Sequence, residues 1–369
     1  MSRTYGWLVA LLAAVPLAGS CFAQDGLLKY DDDQADGRRS TAQAGYITVF
    51  DAPEGMPVLK SVSINASQYG RQDPRDFVVA VTDMDLKPMA VFGYSYDLLP
   101  YGGAPQWVEL PLPEEVKPPA KFAVAVYCHC LQDRGVFVGL DVPANGKSQS
   151  YTALPGADAA PQPDVDGKPA NWMIRCQMAK GFEKPHGAAT QLRYDNGTFE
   201  EMQSMGGTGQ VVQFTVPEEG GPFTLKRVLV CGGYYGQPGT DGESNQGHLA
   251  ICTADGTILS QQVFRYDEFY WSSTPCWTSI PLATPVEVTD DIYVITDMNS
   301  RPTPGIYVGY DTEGDACHSQ IGAPGSTKTW TPRNADPQKS NWCIRVQLER
   351  KPEAPNPDET GGPPATELR

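Results

Sequence analysis

The chain has 369 residues, with 28 basic and 44 acidic side chains and a net charge of −16. That balance excludes a protein of nucleic acid or anionic membrane surfaces, since phosphate contacts need a basic footprint. The 37 glycines and 33 prolines suit short strands joined by turns rather than helices.

The N-terminus reads as an export signal. Arg3 supplies a short basic region, Trp7 to Ala18 an apolar core, and Cys21-Phe22-Ala23 a small residue at the cleavage position. Residues 1–23 are therefore predicted to be removed, with the mature chain beginning near Gln24 in a secreted or periplasmic protein. The apolar run is well short of the ~20 residues a spanning helix needs, so no membrane span is predicted. Ala18-Gly19-Ser20-Cys21 approaches a lipidation site, but Leu17 stands one place too early, which makes anchoring through Cys21 the lesser reading.

The rest of the chain is written twice. Gly135-Val136-Phe137-Val138-Gly139-Leu140-Asp141 returns as Gly305-Ile306-Tyr307-Val308-Gly309-Tyr310-Asp311, and Asn171-Trp172-Met173-Ile174-Arg175 as Asn341-Trp342-Cys343-Ile344-Arg345. The offset is 170 at both places (305 minus 135, 341 minus 171). Earlier matches, such as Leu28-Lys29-Tyr30-Asp31 with Leu192-Arg193-Tyr194-Asp195, stand 164 apart (192 minus 28). The offset grows only at Pro/Gly-rich places, as insertions in surface loops should. The predicted organisation is copy one at 24–178, a linker at 179–191, copy two at 192–348, and a Pro-rich tail at 349–369 with almost nothing apolar to bury.

Within each copy the apolar period is two. Phe77-Val78-Val79-Ala80-Val81, Phe122-Ala123-Val124-Ala125-Val126-Tyr127 and Ile292-Tyr293-Val294-Ile295-Thr296 are short, β-branched or aromatic, and bounded by turn residues. The fold class expected is all-β: two tandem antiparallel β-sandwiches, jelly-roll-like, from an internal duplication.

Cysteine number suggests disulfides. Without Cys21 eight remain, an even number in an exported chain. Three fall in copy one (Cys128, Cys130, Cys176) and five in copy two (Cys231, Cys252, Cys276, Cys317, Cys343), so a bridge joins the copies or each copy keeps an unpaired thiol. Cys128-His129-Cys130 resembles half a metal site, although structural zinc favours wider spacing and a second pair.

Catalytic signals are thin. Asp311 with His318-Ser319 contains acid, base and nucleophile types, but copy one has Ser148-Gln149-Ser150 at that place and no nucleophile elbow accompanies it. No catalytic residue is assigned. Calcium is the one cofactor considered, held by loop carboxylates near Asp141 and Asp311, where a strand ends in each copy.

The pairs shared by the copies are Trp107 and Trp277, Asp141 and Asp311, Trp172 and Trp342, Arg175 and Arg345. They are expected to serve the fold, with the tryptophans in the two cores and each arginine paired to a carboxylate such as the Asp of its own copy. The differences point to a ligand instead. Tyr234, Tyr235, Tyr270 and Trp271 stand in an aromatic-rich part of copy two that is plainer in copy one. Exposed Tyr and Trp offer flat apolar faces with polar edges, suited to sugar rings or a protein partner.

The pattern Tyr-Asp, Trp before a Pro-Leu strand, Gly-x-x-Val-Gly-x-Asp and Asn-Trp-x-Ile-Arg resembles the jelly-roll accessory domains of large exported bacterial proteins. Such domains accompany secreted peptidases and cell-surface proteins and carry no catalytic residues. The resemblance covers both copies and implies a binding rather than a catalytic role; this chain departs from the usual arrangement in showing no recognisable catalytic domain. Three readings follow: an exported, non-catalytic binding or adhesion-type protein recognising a glycan or a surface protein, an extracytoplasmic hydrolase using copy two through His318, or a structural component of an envelope assembly.

Overall fold

The computed structural model describes residues 26–71, 75–154, 162–184, 189–218, 221–236, 245–300, 304–314, 316–323, 331–332 and 339–350. The predicted signal segment, Cys21 and the tail beyond residue 350 lie outside these residues. The strand Ile344–Arg350 runs two residues into the stretch assigned to the tail, and the strand Thr190–Leu192 begins inside the stretch assigned to the linker.

The protein is all-β, two tandem antiparallel sandwiches of jelly-roll type. In copy one a seven-stranded sheet faces a five-stranded one, and in copy two a seven-stranded sheet faces a six-stranded one. The two copies are wired alike. Val58–Gly70 and Phe223–Tyr235 are the long central strands of the seven-stranded sheets. Each pairs along one edge with a strand that starts just before a tryptophan (Gln106–Val116, Cys276–Val288), and along the other with the strand that carries the arginine and then the Gly-x-x-Val-Gly strand. Most successive strands cross from one sheet to the other, which closes each sandwich around its own core.

Alternation explains which side chains enter those cores. Val62, Ile64 and Ala66 point inward from the central strand of copy one, while Ser61, Ser63, Asn65 and Ser67 point outward. Trp172 and Trp342 fill the two cores as expected, each 1% exposed. Their indole N–H groups donate to Tyr151 O and Gln320 O, and their backbone N–H groups to Ser150 Oγ and Ser319 Oγ. Burial of ~150–250 Å² by each ring stabilises the fold by about 4–6 kcal/mol.

Trp107 and Trp277 do not fill cores, which corrects the expectation. Both lie on the outer faces of the seven-stranded sheets, where Arg175 and Arg345 cover their rings at 3.8 and 4.3 Å from the centroids. Strand register dictates this: Trp107 stands opposite Asn65 and Trp277 opposite Cys231, both outward positions. The arginines also pair elsewhere than expected. Arg175 binds Asp31 and Asp33, and Arg345 binds Asp195, rather than Asp141 or Asp311.

The copies stack. The outer face of the five-stranded sheet (Ile47, Val49, Val78, Ala80, Ala123, Ala125) packs on the outer face of the seven-stranded sheet of copy two (Leu229, Cys231, Trp277, Cys343) as one apolar cluster. Those strands are therefore buried on both sides, and they read as continuous apolar runs. Side chains of copy two also engage the edge strand Pro88–Ser95: Gly93 N–H donates to Gln347 Oε1 at 2.7 Å, Gln191 Nε2 donates to Val91 O at 2.8 Å, and Arg227 Nη1 donates to Gly93 O at 2.9 Å. Glycine is required at 93, since a Cβ there would stand 2.4 Å from Ser279 Oγ.

The disulfide expectation is corrected too. None of the eight described cysteines is in a disulfide. They behave as small apolar side chains: Cys128, Cys130 and Cys176 belong to the first core, and Cys231 and Cys343 to the junction. Cys317 takes the part played in copy one by Ser148, its thiol directed at Ser319 O and Ser340 O as that hydroxyl is at Ser150 O and Ala170 O.

Candidate functional site

Each copy carries the same loop at one end of its sandwich. A 3-10 turn (Tyr96–Leu98, Tyr266–Glu268) follows the edge strand, and its first tyrosine is buried with its hydroxyl donating to Cys128 O or Met298 O. The chain then makes a single parallel bridge to the central strand, Gln68 with Tyr101 and Tyr234 with Trp271. The residue at that bridge is turned outward in both copies: Tyr101 is 56% exposed and Trp271 67% exposed. Among the described residues Tyr101 and Trp271 are the exposed aromatics, and they stand at one repeated backbone position.

The four aromatic candidates of copy two are not one face. Tyr234 is 7% exposed, packed in the core against Tyr266 at 5.5 Å. Tyr235 is half-buried on the outer sheet face, tilted against Tyr307 at 4.3 Å and bonded through its hydroxyl to Ser204 Oγ. The pair Tyr69 and Phe137 with Ser40 is its counterpart in copy one, so this arrangement belongs to the fold. Tyr270 is 3% exposed and points into the junction, where its hydroxyl accepts His129 N–H at 3.1 Å. Trp271 alone of the four faces solvent. Tyr101 was not singled out in the sequence; the signal was its place in the repeat, 170 before Trp271 (271 minus 101).

The junction holds a buried polar knot beneath that loop. Arg75 binds Glu268, and Asp76 accepts from Arg227 Nε at 2.9 Å and Ser279 Oγ at 2.7 Å. Around a space of about 10 Å³, Arg75 Nη1, Asp76 Oδ1, Thr278 Oγ1 and both ring nitrogens of His129 have no protein partner. That volume and those groups suit one bound water. Burial, with Arg75 and Arg134 nearby, holds the His129 imidazole down at about 3, so it is neutral. Burial also raises the Asp76 carboxyl.

The side chains of the catalytic reading, Asp311, His318 and Ser319, are not brought together. The His318 ring stacks on Tyr194 at 3.6 Å, Ser319 Oγ is buried against Trp342 N–H, and Asp311 accepts the backbone N–H groups of Asn196 and Glu313. These three side chains face three different partners. Among the described residues no set of three His, Cys, Asp or Glu side chains is placed to hold a metal. Asp141, with burial first and Asp32, Asp31 and Asp36 nearby, has its carboxyl raised to about 6. Among the described residues no helix is long and apolar enough to cross a membrane.

No protein-family model and no curated protein matches this chain. Some solved structures do. The clostridial cysteine protease Cwp84 after propeptide cleavage is similar at 10% identity, over 81% of this chain and 72% of that one, with a TM-score of 0.32. The cysteine protease and lectin-like domains of Cwp84, a surface layer associated protein of Clostridium difficile, match at 9% identity over 81% of this chain and 65% of that one, with a TM-score of 0.33. Infectious bursal disease virus, Gx strain, matches at 9% identity over 88% and 74%, with a TM-score of 0.18. Likenesses this loose carry no argument about what the chain does.

Proposed function

We propose that the chain is a non-catalytic, exported binding protein whose tandem sandwiches recognise a glycan outside the cytoplasm, with Trp271 and Tyr101 as the contact residues. One observation carries the reading: the same loop position in each copy presents a large aromatic ring to water, at 67% and 56% exposure. The buried tyrosine and the backbone bridge fix the main chain from which each ring projects, and the Tyr101 hydroxyl donates to Gly70 O at 2.8 Å, which lowers the ordering required on binding. Its flat face suits the C–H face of a sugar ring and its polar edge a hydroxyl. The net charge of −16 favours neutral over anionic glycans. Export rests on the segment 1–23.

A glycan array probed with the mature protein, with and without calcium, tests the reading. Saturable binding to neutral glycans is expected, weakened tenfold or more by Trp271→Ala. Binding left unchanged by Trp271→Ala and by Tyr101→Ala would remove these loops as the site. Silence on the array would turn the search to a surface protein, the same rings then serving as anchors.

A further inference from the structure

The junction between the copies is not filled everywhere. Next to the polar knot, with Val78, Tyr127 and Trp277 common to both, it opens into a cleft of about 330 Å³, walled by Val78, Ala80 and Thr82 from copy one and by Phe199, Pro275 and Trp277 from copy two. Small-molecule sites fall at about 300–1,000 Å³ and are common between domains. We propose that this cleft is a second binding site, distinct from the exposed loops, and that it takes a neutral, largely apolar small molecule of about two fused or linked aromatic rings.

The chemistry of the lining selects that class. Two thiols, Cys231 and Cys276, form part of it. Burial pushes the Cys231 thiol well up and the Cys276 thiol up to about 12, so both are neutral near pH 7. The buried side-chain atoms that lack a partner, on Asn65, Asp76, His129 and Thr278 among others, all lie outside this lining. No buried side chain of the lining is therefore left without a partner, and a charged ligand would lose its hydration with no buried counter-charge to meet it. Charge is confined to exposed Lys87 and Glu200. The Trp277 indole N–H is already turned to Gly197 O at 3.5 Å, and its ring is a wall for offset stacking.

The cleft exists because small side chains, Ala80 and Cys231, line the two copies where they meet. Neither copy forms it alone. A ligand there binds only the stacked arrangement and so stabilises the junction by mass action.

Titration with N-phenyl-1-naphthylamine, a neutral two-part aromatic whose fluorescence rises in apolar surroundings, tests the proposal. Saturable binding with one equivalent per chain is expected, together with a rise in melting temperature. Thr198→Trp, which fills the cleft from its rim, should weaken binding at least tenfold; if that variant melts early, Ala80→Val fills it from the opposite wall. Trp271→Ala should leave the titration unchanged while weakening glycan binding tenfold or more, which separates this site from the one proposed above. No saturable signal, or full binding in a normally melting Thr198→Trp protein, overturns the proposal.

Discussion

The two arginine–aspartate pairs are the same device in two settings, and removing their carboxylates should give very different results. Arg345 and Asp195 are both wholly buried under the junction. The guanidinium lies over Trp277, binds both Asp195 oxygens through Nε at 3.2 and 3.0 Å, and reaches Gln191 Oε1 at 3.1 Å. Asp195→Ala leaves that guanidinium buried without a counter-charge, which costs about 3–5 kcal/mol. In copy one, Arg175 is 12% exposed and has two partners, Asp31 and the 59% exposed Asp33. Asp31→Ala leaves Asp33 and water in place, so the loss should be about 1–2 kcal/mol. For domains of this size about 1 kcal/mol moves the melting point roughly 2–4 °C. Scanning calorimetry should then show Asp195→Ala lowered by roughly 6–20 °C and Asp31→Ala by roughly 2–8 °C. The double change Arg345→Met with Asp195→Leu should recover most of the loss, since a buried pair replaced by apolar side chains of similar volume is often neutral. Equal shifts for the two single variants would refute the reasoning, because they would mean that stacking of the copies adds nothing to burial of the pair.

Acid should act through His129. Its folded pKa of about 3 lies below the ordinary 6.5, so its contribution is complete above 6.5 and is lost as pH falls from 6.5 towards 3. At pH 4.5 the loss is on the order of 2–3 kcal/mol. Asp141, raised to about 6 from 3.8, works in the opposite sense, stabilising below 3.8 and losing that effect as pH rises to 6. The urea midpoint of His129→Gln should therefore exceed that of the parent at pH 4.5 but not at pH 7.5, and no gain at pH 4.5 would exclude His129 as the acid-sensitive group. Thiol titration of the native protein should show one fast equivalent belonging to Cys317, the one described cysteine that is not buried, and Cys317→Ser should abolish it. Slow reaction of the remainder follows from burial; failure to release them in urea without reductant would indicate disulfides instead. Gly93→Ala should open the junction to limited proteolysis, whereas Gly181→Ala, with nothing within 4 Å of its added methyl, should not.

Much of the fold could be read from the chain because strand alternation is a local property. The predicted Phe122–Tyr127 strand is observed as Lys121–Tyr127, and Ile292–Thr296 as Ile292–Asp297. Exposure was harder to read, because it depends on what lies opposite. Tyr270 and Trp271 are neighbours of the same chemical type, yet one is sealed in the junction and the other is open to water. Being the same in both copies, Trp107 and Trp277 read as core residues; their position one residue out of step with the inward series is what places them outside. The cysteines misled for a related reason, since pairing needs two thiols to converge and sequence spacing says nothing of that.

The junction nevertheless left a mark in the sequence. Along the central strand of copy one the outward residues are Ser63, Asn65 and Ser67, all polar. At the matching positions copy two has Leu229, Cys231 and Gly233. The five-stranded sheet of copy one, conversely, is apolar at every step of Phe77–Val81 and Phe122–Val126. The outer face of the seven-stranded sheet is thus apolar in copy two alone, and that face is the one that meets the five-stranded sheet of copy one; the matching face of copy two's own six-stranded sheet is apolar as well, at Val211, Ala250, Cys252 and Ile295. The seven-stranded sheet of copy one stayed polar on its outside, which argues against further stacking of chains by the same contact. The apolar contact makes the tandem a single stacked body. A ligand site at the junction and aromatic loops at one end of each sandwich are then separate consequences of one duplication, and each can be disturbed without the other.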